Sequence, residues 1–396
     1  MPSDPTWIVR LDEGRSGPAV GVKDLIDVAG VPTTAACRAV AARARPATAD
    51  AACLSGLRAA MAGGRARLVG KTNLHELADG ITGINRWTGT PVNPLDPGAV
   101  PGGSSSGSAV AVAVGDADIA YGSDTAGSVR IPAACCGVVG LKTTWGRIPL
   151  DGVWPLAPSL DTVGPLARDM AGIVAAMDLL EPGFAASVAR VGRIEATGPV
   201  TVGRLDLGHS GLEADPVVEA AVQAAVDRAV AAGGFAVREV HPSGWADACV
   251  AGLTVIGAES LAAHGALVRR HSDEVGEDIA ASFAHAARAG HQRIRDARST
   301  IERWRREMDR VWADDLTVLA LPTIGVPAPP IGPGAARAIG VKWTLPISAA
   351  GLPALSLPLS LPGTSLKASL QLVGGHGSEA LLCALGSWFE AAVAGG

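Results

Sequence analysis

Residues 98–146 constrain the fold more than any other stretch. They contain PGGSSSGSAVAVAVG followed by YGSDTAGSVRIPAACCGVVGLKTTWG. Side chains this small let backbone segments touch, and glycine admits conformations that other residues avoid. A flexible linker is the ordinary reading of Ser104-Ser105-Ser106. A linker does not normally follow Pro101-Gly102-Gly103 and run straight into the apolar AVAVAV of 109–114. That segment reads either as a strand, by its alternation, or as an Ala-rich helix capped by serine. Small residues at successive turns favour the helix, because they allow close packing, while the β-branched Val110, Val112 and Val114 argue the other way.

A second serine, Ser128, ends the run Asp124-Thr125-Ala126-Gly127-Ser128. Backbone N–H groups can approach a ligand closely in such a segment. A serine nucleophile needs a base for its proton and donors for the developing oxyanion. Neither Ser104 nor Ser128 is centred in G-x-S-x-G, so a nucleophile elbow is not indicated. A base other than histidine is then needed, and Lys23, at the end of the apolar run PAVGVK, is the candidate.

Short apolar runs alternate with helical patterns elsewhere, which predicts an α/β fold with helices on the faces of a sheet. Strands are expected at 18–23 and over ARLVGKTN, ending at Gly70. Helices are expected at 51–63, with Leu54, Leu57 and Met61 on one face, and at 214–233, where Asp215 caps, Pro216 takes the first position and Gly233 stops the helix. Residues 272–313 read as one long charged helical region, with Glu302–Arg306 and Arg305–Asp309 as i,i+4 pairs. A Pro-rich loop at 320–336, two compact strands and a final helix with Trp388 and Phe389 complete the pattern.

Charge and composition exclude several classes. Lys and Arg total 33 against 38 Asp and Glu, a net charge of −5, which gives no basic face for nucleic acid. With 48% hydrophobic and 18% charged residues the chain is not disordered. No run of 18 apolar residues is present, so no membrane-spanning helix is expected, and MPSDPTWIVRLDEG lacks the halves of a signal peptide. Six scattered cysteines without C-x-x-C and eight histidines without H-E-x-x-H indicate no metal, no disulfide framework and a cytoplasmic setting. His75 and Glu76 read as structural or surface residues.

The segments GVKDLIDVAGVPTT (21–34), GKTNLHE (70–76), NPLDPGAVPGGSSSGSAVAVA (93–113), GSDTAGSVRIPAACCGVVGLKTTWG (122–146) and SLDTVGPLARD (159–169) resemble the amidase signature family of serine hydrolases. LPTIGVPAPPIG, GLPALSLPLS and LQLVGGHGSEALL near the C-terminus fit as well. The resemblance covers about 18–185 and 312–390 and fades over about 190–310. With Lys23 so early, the chain resembles the compact, indoleacetamide-type members. The family implies a single amidase signature domain over 1–396, with a mixed central β-sheet flanked by helices.

It also implies a Ser-Ser-Lys triad. Ser128 matches the nucleophile, Ser104, twenty-four positions earlier, the middle serine, and Lys23 the terminal base. The resemblance implies a cis peptide at Gly103–Ser104 and an oxyanion hole from the N–H groups of Thr125, Ala126, Gly127 and Ser128. Buried lysine can lose its charge, because desolvation disfavours the ammonium. Ala126 stands where the family usually has glycine, a feature shared with allophanate-hydrolase-like members. The N-terminal helices usual in the family are mostly missing before Lys23.

Asp124 and Arg130 are expected to pair and hold the loop, Lys142 to be a structural cation, Cys135 and Cys136 to pack, and Ser105 and Ser108 to hydrogen-bond. Trp87, Trp154 and Trp343 line a pocket or fill the core. The implied reaction is hydrolysis of a linear carboxamide to carboxylate and ammonia or amine through an acyl-enzyme on Ser128, without metal or organic cofactor. The partner is a small-molecule amide, with no nucleic acid and no membrane, acted on by a monomer or homodimer. The alternatives are the glutaminase subunit of a tRNA-dependent amidotransferase, a urea-like amide, ester or carbamate hydrolase, and an inactive scaffold.

Overall fold

A computed structural model describes residues 4–14, 16–195, 200–232, 235–313 and 316–394. Its strands are β1 (Trp7–Glu13), β2 (Ala19–Lys23), β3 (Arg67–Thr72), β4 (Ile119–Asp124), β5 (Val139–Lys142), β6 (Thr162–Ala167), β7 (Val200–Leu205), β8 (Phe235–Val240), β9 (Val318–Pro322), β10 (Ala354–Ser360) and β11 (Lys367–Val373). All eleven join one sheet in the order β1-β3-β2-β4-β6-β5-β10-β11-β9-β7-β8. β3-β2-β4 and β9-β7-β8 run parallel and the remaining pairs antiparallel, so the sheet is mixed, as expected. The helices are α1 (Arg38–Ala41), α2 (Ser55–Ala62), α3 (Ser106–Val114), α4 (Arg130–Cys136), α5 (Met170–Leu180), α6 (Phe184–Glu195), α7 (Pro216–Ala232), α8 (Trp245–Arg270), α9 (Glu277–Ala286), α10 (His291–Ala313), α11 (Ala335–Ile339), α12 (Leu345–Ala350) and α13 (Glu379–Ala394).

Strand alternation separates the two faces. Val318 and Ala320 of β9, with Leu355 and Leu357 of β10, join the core beneath α5, α7 and α13. Leu319 and Leu321 join the opposite core, with α8, α10 and α12. Val20 and Val22 of β2 belong to the first core, so Lys23 emerges on the other side, beneath α3.

AVAVAV is helical. α3 is buried over Ser106–Val112, and its small residues allow close contact with its surroundings: a methyl on Gly107 would lie 2.4 Å from Thr6 O. Tertiary packing here outweighs the β-branching of its valines. Ser105 does not cap it through its side chain; that hydroxyl donates to Ser123 O at 3.3 Å. β3 runs past Gly70 to Thr72, because it is paired on both sides, with Trp7 and Lys23 opposite Thr72. α7 begins at Pro216 and Asp215 Oδ1 accepts the Val217 N–H, while Gly233 lies outside the described residues. The charged region is two helices, α9 and α10, divided around Gly290. The expected pairs on α10 do not form: Arg305 Nε donates instead to Ala349 O at 3.0 Å. α8 is long and apolar enough to cross a membrane by length and composition, contrary to the expectation of no such segment. Its inner face, including Trp245, Val255, Ile256 and His264, is buried in the second core.

Candidate active site

The end of β2 places the Lys23 ammonium group inside the protein, with no solvent exposure. Nζ donates to Ser104 Oγ at 2.7 Å and to Ser123 Oγ at 2.8 Å. Desolvation lowers its pKa from 10.5 to about 7, against the opposing fields of Asp124 and Asp161. Neighbouring Asp24 does not pair with it: that carboxyl lies 2.8 Å from Lys71 Nζ and accepts the Thr34 N–H at 3.1 Å.

Ser104 follows a cis Gly103–Ser104 peptide, and its carbonyl accepts the His75 N–H at 3.0 Å. His75 is thus a buried residue, tied also to Asp278 at 3.1 Å. Ser128 joins the group through its backbone, its carbonyl accepting the Ser105 N–H at 3.1 Å. The Ser128 hydroxyl makes no hydrogen bond among the described residues, to Ser104 Oγ or to any other atom.

The loop before Ser128 is held by Asp124. Its carboxylate receives Arg130 Nη2 at 2.9 Å, Arg130 Nε at 3.0 Å, the Gly127 N–H at 2.8 Å and the Val129 N–H at 3.2 Å. Burial raises its pKa, but Arg130 prevails and holds it at about 2. Arg130 also reaches Gln371, Ser348 and the Thr344 carbonyl, tying the loop to β11 and α12. Gly127 has φ +130°, and a methyl there would lie 2.5 Å from Thr344 Oγ1. Of the four N–H groups expected as oxyanion donors, that of Gly127 is engaged by Asp124; those of Thr125, Ala126 and Ser128 have no acceptor among the described residues. Ala126 is not among the residues with positive φ, so the methyl is tolerated.

A family model named Amidase matches residues 16–383. The chain belongs to the amidase signature family. This amidase is 34% identical to 2-amino-5-chloromuconic acid deaminase of Comamonas testosteroni, over 98% of this chain and 85% of that protein. It is 33% identical to a glutamyl-tRNA(Gln) amidotransferase subunit of Synechococcus sp. (strain RCC307), over 93% of this chain and 82% of the relative. A crystal structure described as an amidase superposes with a TM-score of 0.83 at 31% identity, over 96% of this chain and 85% of the other. The protein is accordingly an enzyme of the amidohydrolase type, acting on amides.

Sequence reasoning missed three residues that shape the candidate site. Ser123, the second partner of Lys23, lies one position before Asp124 in an already singled-out motif. Asp161, within SLDTVGP, accepts the Thr125 hydroxyl at 2.5 Å. Thr344, whose hydroxyl donates to Ala126 O, carried no local signal, since it is far away in sequence. Lys142 is buried, its Nζ donating to Thr143 O and Leu352 O at 2.9 Å each, and desolvation lowers its pKa to about 7. Trp343 is fully buried core. Asp206, Glu239 and His241, whose ligand atoms lie within 4.8 Å of one another, form a group able to hold an ion. Glu239 lies in the edge strand β8, and Asp206 and His241 directly follow β7 and β8, towards the opposite end of the sheet from β2.

Proposed function

We propose that this amidase hydrolyses a linear carboxamide through an acyl-enzyme on Ser128, with Ser104 and Lys23 carrying the proton. The observation that carries the reading is the 2.7 Å bond from a fully buried Lys23 to Ser104. A lysine with a pKa near 7 is partly neutral at physiological pH and can accept a proton. In the reaction Ser104 accepts the Ser128 proton as it passes its own to Lys23. Ser128 Oγ forms a bond to the carbonyl carbon, and the carbonyl oxygen takes the charge. In this reading the unengaged N–H groups of Thr125, Ala126 and Ser128 receive that oxyanion, while Gly127, its N–H held by Asp124, fixes the loop. The C–N bond then breaks, the proton returns along the relay to the leaving nitrogen, and water releases the carboxylate by the same steps in reverse. Substrate binding must bring Ser128 Oγ within reach of Ser104, as catalytic hydrogen bonds often tighten only in the complex.

We read residues 1–396 as one domain acting on a small-molecule amide in the cytoplasm, in keeping with six cysteines that are all free. Labelling by a fluorophosphonate, mapped by peptide mass, tests the assignment: Ser128 carries the label in the parent, and labelling elsewhere refutes it. The similarity to an amidotransferase subunit favours one second reading, a glutaminase working within a complex. Copurification of stoichiometric partner subunits supports that reading; turnover of simple amides by the isolated chain opposes it.

A further inference from the structure

α8 carries Ile256, Ser260 and His264 at successive turns, all buried. Three attachments fix where this face lies. One turn earlier, a methyl on Gly252 would lie 2.9 Å from Leu345, whose neighbour Thr344 bonds Ala126 O. Glu259 accepts the Ser159 N–H at 3.0 Å and His264 Nε2 meets Pro155 O at 2.6 Å. The segment they hold ends at Asp161, which binds the Thr125 hydroxyl. On the third side, Ile256 and Gly257 line a cavity of about 380 Å³ with Asp79. Asp79 belongs to the loop whose His75 and Ile81 bond Ser104 O and the Gly103 N–H. Each of these three segments, next to which α8 lies, is bonded to residues flanking Ser104 or Ser128.

Within this enclosure the Ser260 hydroxyl is buried and has no hydrogen-bond partner, and the same is true of Trp154 Nε1. Trp154 stacks on His264 with ring centroids 5.1 Å apart. Buried polar atoms are almost always satisfied, so two orphans on elements attached to the segments that hold Ser104 and Ser128 point to a ligand. We propose that Ser260 and Trp154 line the acyl pocket and hydrogen-bond a second, uncharged carbonyl group of the substrate. The preferred substrates are then uncharged amides of the diamide, imide or ureide kind. The inference rests on Ser128 being the nucleophile.

The choice of an uncharged group follows from the surroundings. A buried carboxylate needs a cation or several strong donors. Burial keeps His264 below its usual pKa and therefore neutral, and it raises the pKa values of Asp79 and Asp161, so this pocket already disfavours negative charge. The arginines of the adjoining cavity, Arg288 and Arg293, are exposed to solvent.

The test is ammonia release from malonamide, succinamide and adipamide, each against its free-acid monoamide and a matching simple alkanamide. The parent should favour a diamide over both counterparts by about tenfold or more in kcat/KM. Ser260→Ala should lower the diamide value about tenfold, chiefly through KM, and the alkanamide value much less, so that the diamide preference is lost. Ser260→Thr, which keeps the hydroxyl, should retain the preference. Preference for the free acid, or an equal loss on diamide and alkanamide in Ser260→Ala, overturns the inference alone when the fluorophosphonate still labels Ser128. No turnover and no label on Ser128 overturns the nucleophile assignment and this inference together.

Discussion

Between β2 and α4 several ionisable side chains lie fully inside the protein with matched partners: Lys23 with Ser104 and Ser123, Asp24 with Lys71, Asp124 with Arg130. Between β7 and α10 the interior is mostly apolar, built on Trp245, Ile279, Trp304 and Met308, and among the described residues no Asp, Glu, Lys or Arg is buried there. Backbone approach differs as well. A methyl on Gly122 would meet Ser105 Oγ at 2.6 Å and one on Gly103 the Gly83 nitrogen at 2.7 Å, whereas Gly290 has nothing within 4 Å. In the first region several constraints fall on each residue at once. In the second an apolar stripe satisfies the fold, and many sequences supply one.

Substitutions in the two regions should therefore differ by orders of magnitude. Ser128→Ala should lower kcat by on the order of 10⁴-fold or more with an unchanged melting temperature, since one hydroxyl without a hydrogen bond is removed. Steady-state rates within tenfold of the parent would erase the distinction. Arg130→Met should cost about 3–5 kcal/mol in urea unfolding, because it leaves Asp124 buried without its cation. In the parent that pairing contributes fully above the ordinary carboxylate pKa of 3.8 and is lost as pH falls towards about 2; the variant should lose this dependence. Gly127→Ala should lower kcat about 100-fold, since the new methyl collides with Thr344 and moves the donors. At the other extreme, Leu253→Ser on the exposed side of α8 should change stability by less than about 0.5 kcal/mol. A larger loss there would show that the helical region is as tightly specified as the core.

The same contrast explains what was legible in the sequence. Lys23, Ser104, Ser128 and the Asp124–Arg130 pair stand in ordered short segments, where each small or charged residue has a local reason. The α/β fold followed from alternating apolar runs and helical patterns, and the mixed sheet from the family resemblance. Thr344 and Ser260 were not legible, because their roles arise only when α12 and α8 fold over the 125–128 loop. The pairs expected along α10 failed for a related reason: periodicity places Arg305 near Asp309, but packing offers it the Ala349 carbonyl. The split of 272–313 was hidden because charge patterning continues across Gly290.

The pH–rate profile of Lys23 variants tests the central claim most directly. Lys23 acts as a base only when neutral, so kcat/KM of the parent should rise with pH through about 7 and then level off. Lys142 titrates near the same pH but touches only two carbonyls, so Lys142→Met should keep that inflection. Lys23→Ala should lose both most of the activity at neutral pH and the inflection, and Lys23→Arg should not restore either, since guanidinium stays charged. An active Lys23→Arg enzyme with the parent's profile would contradict the account.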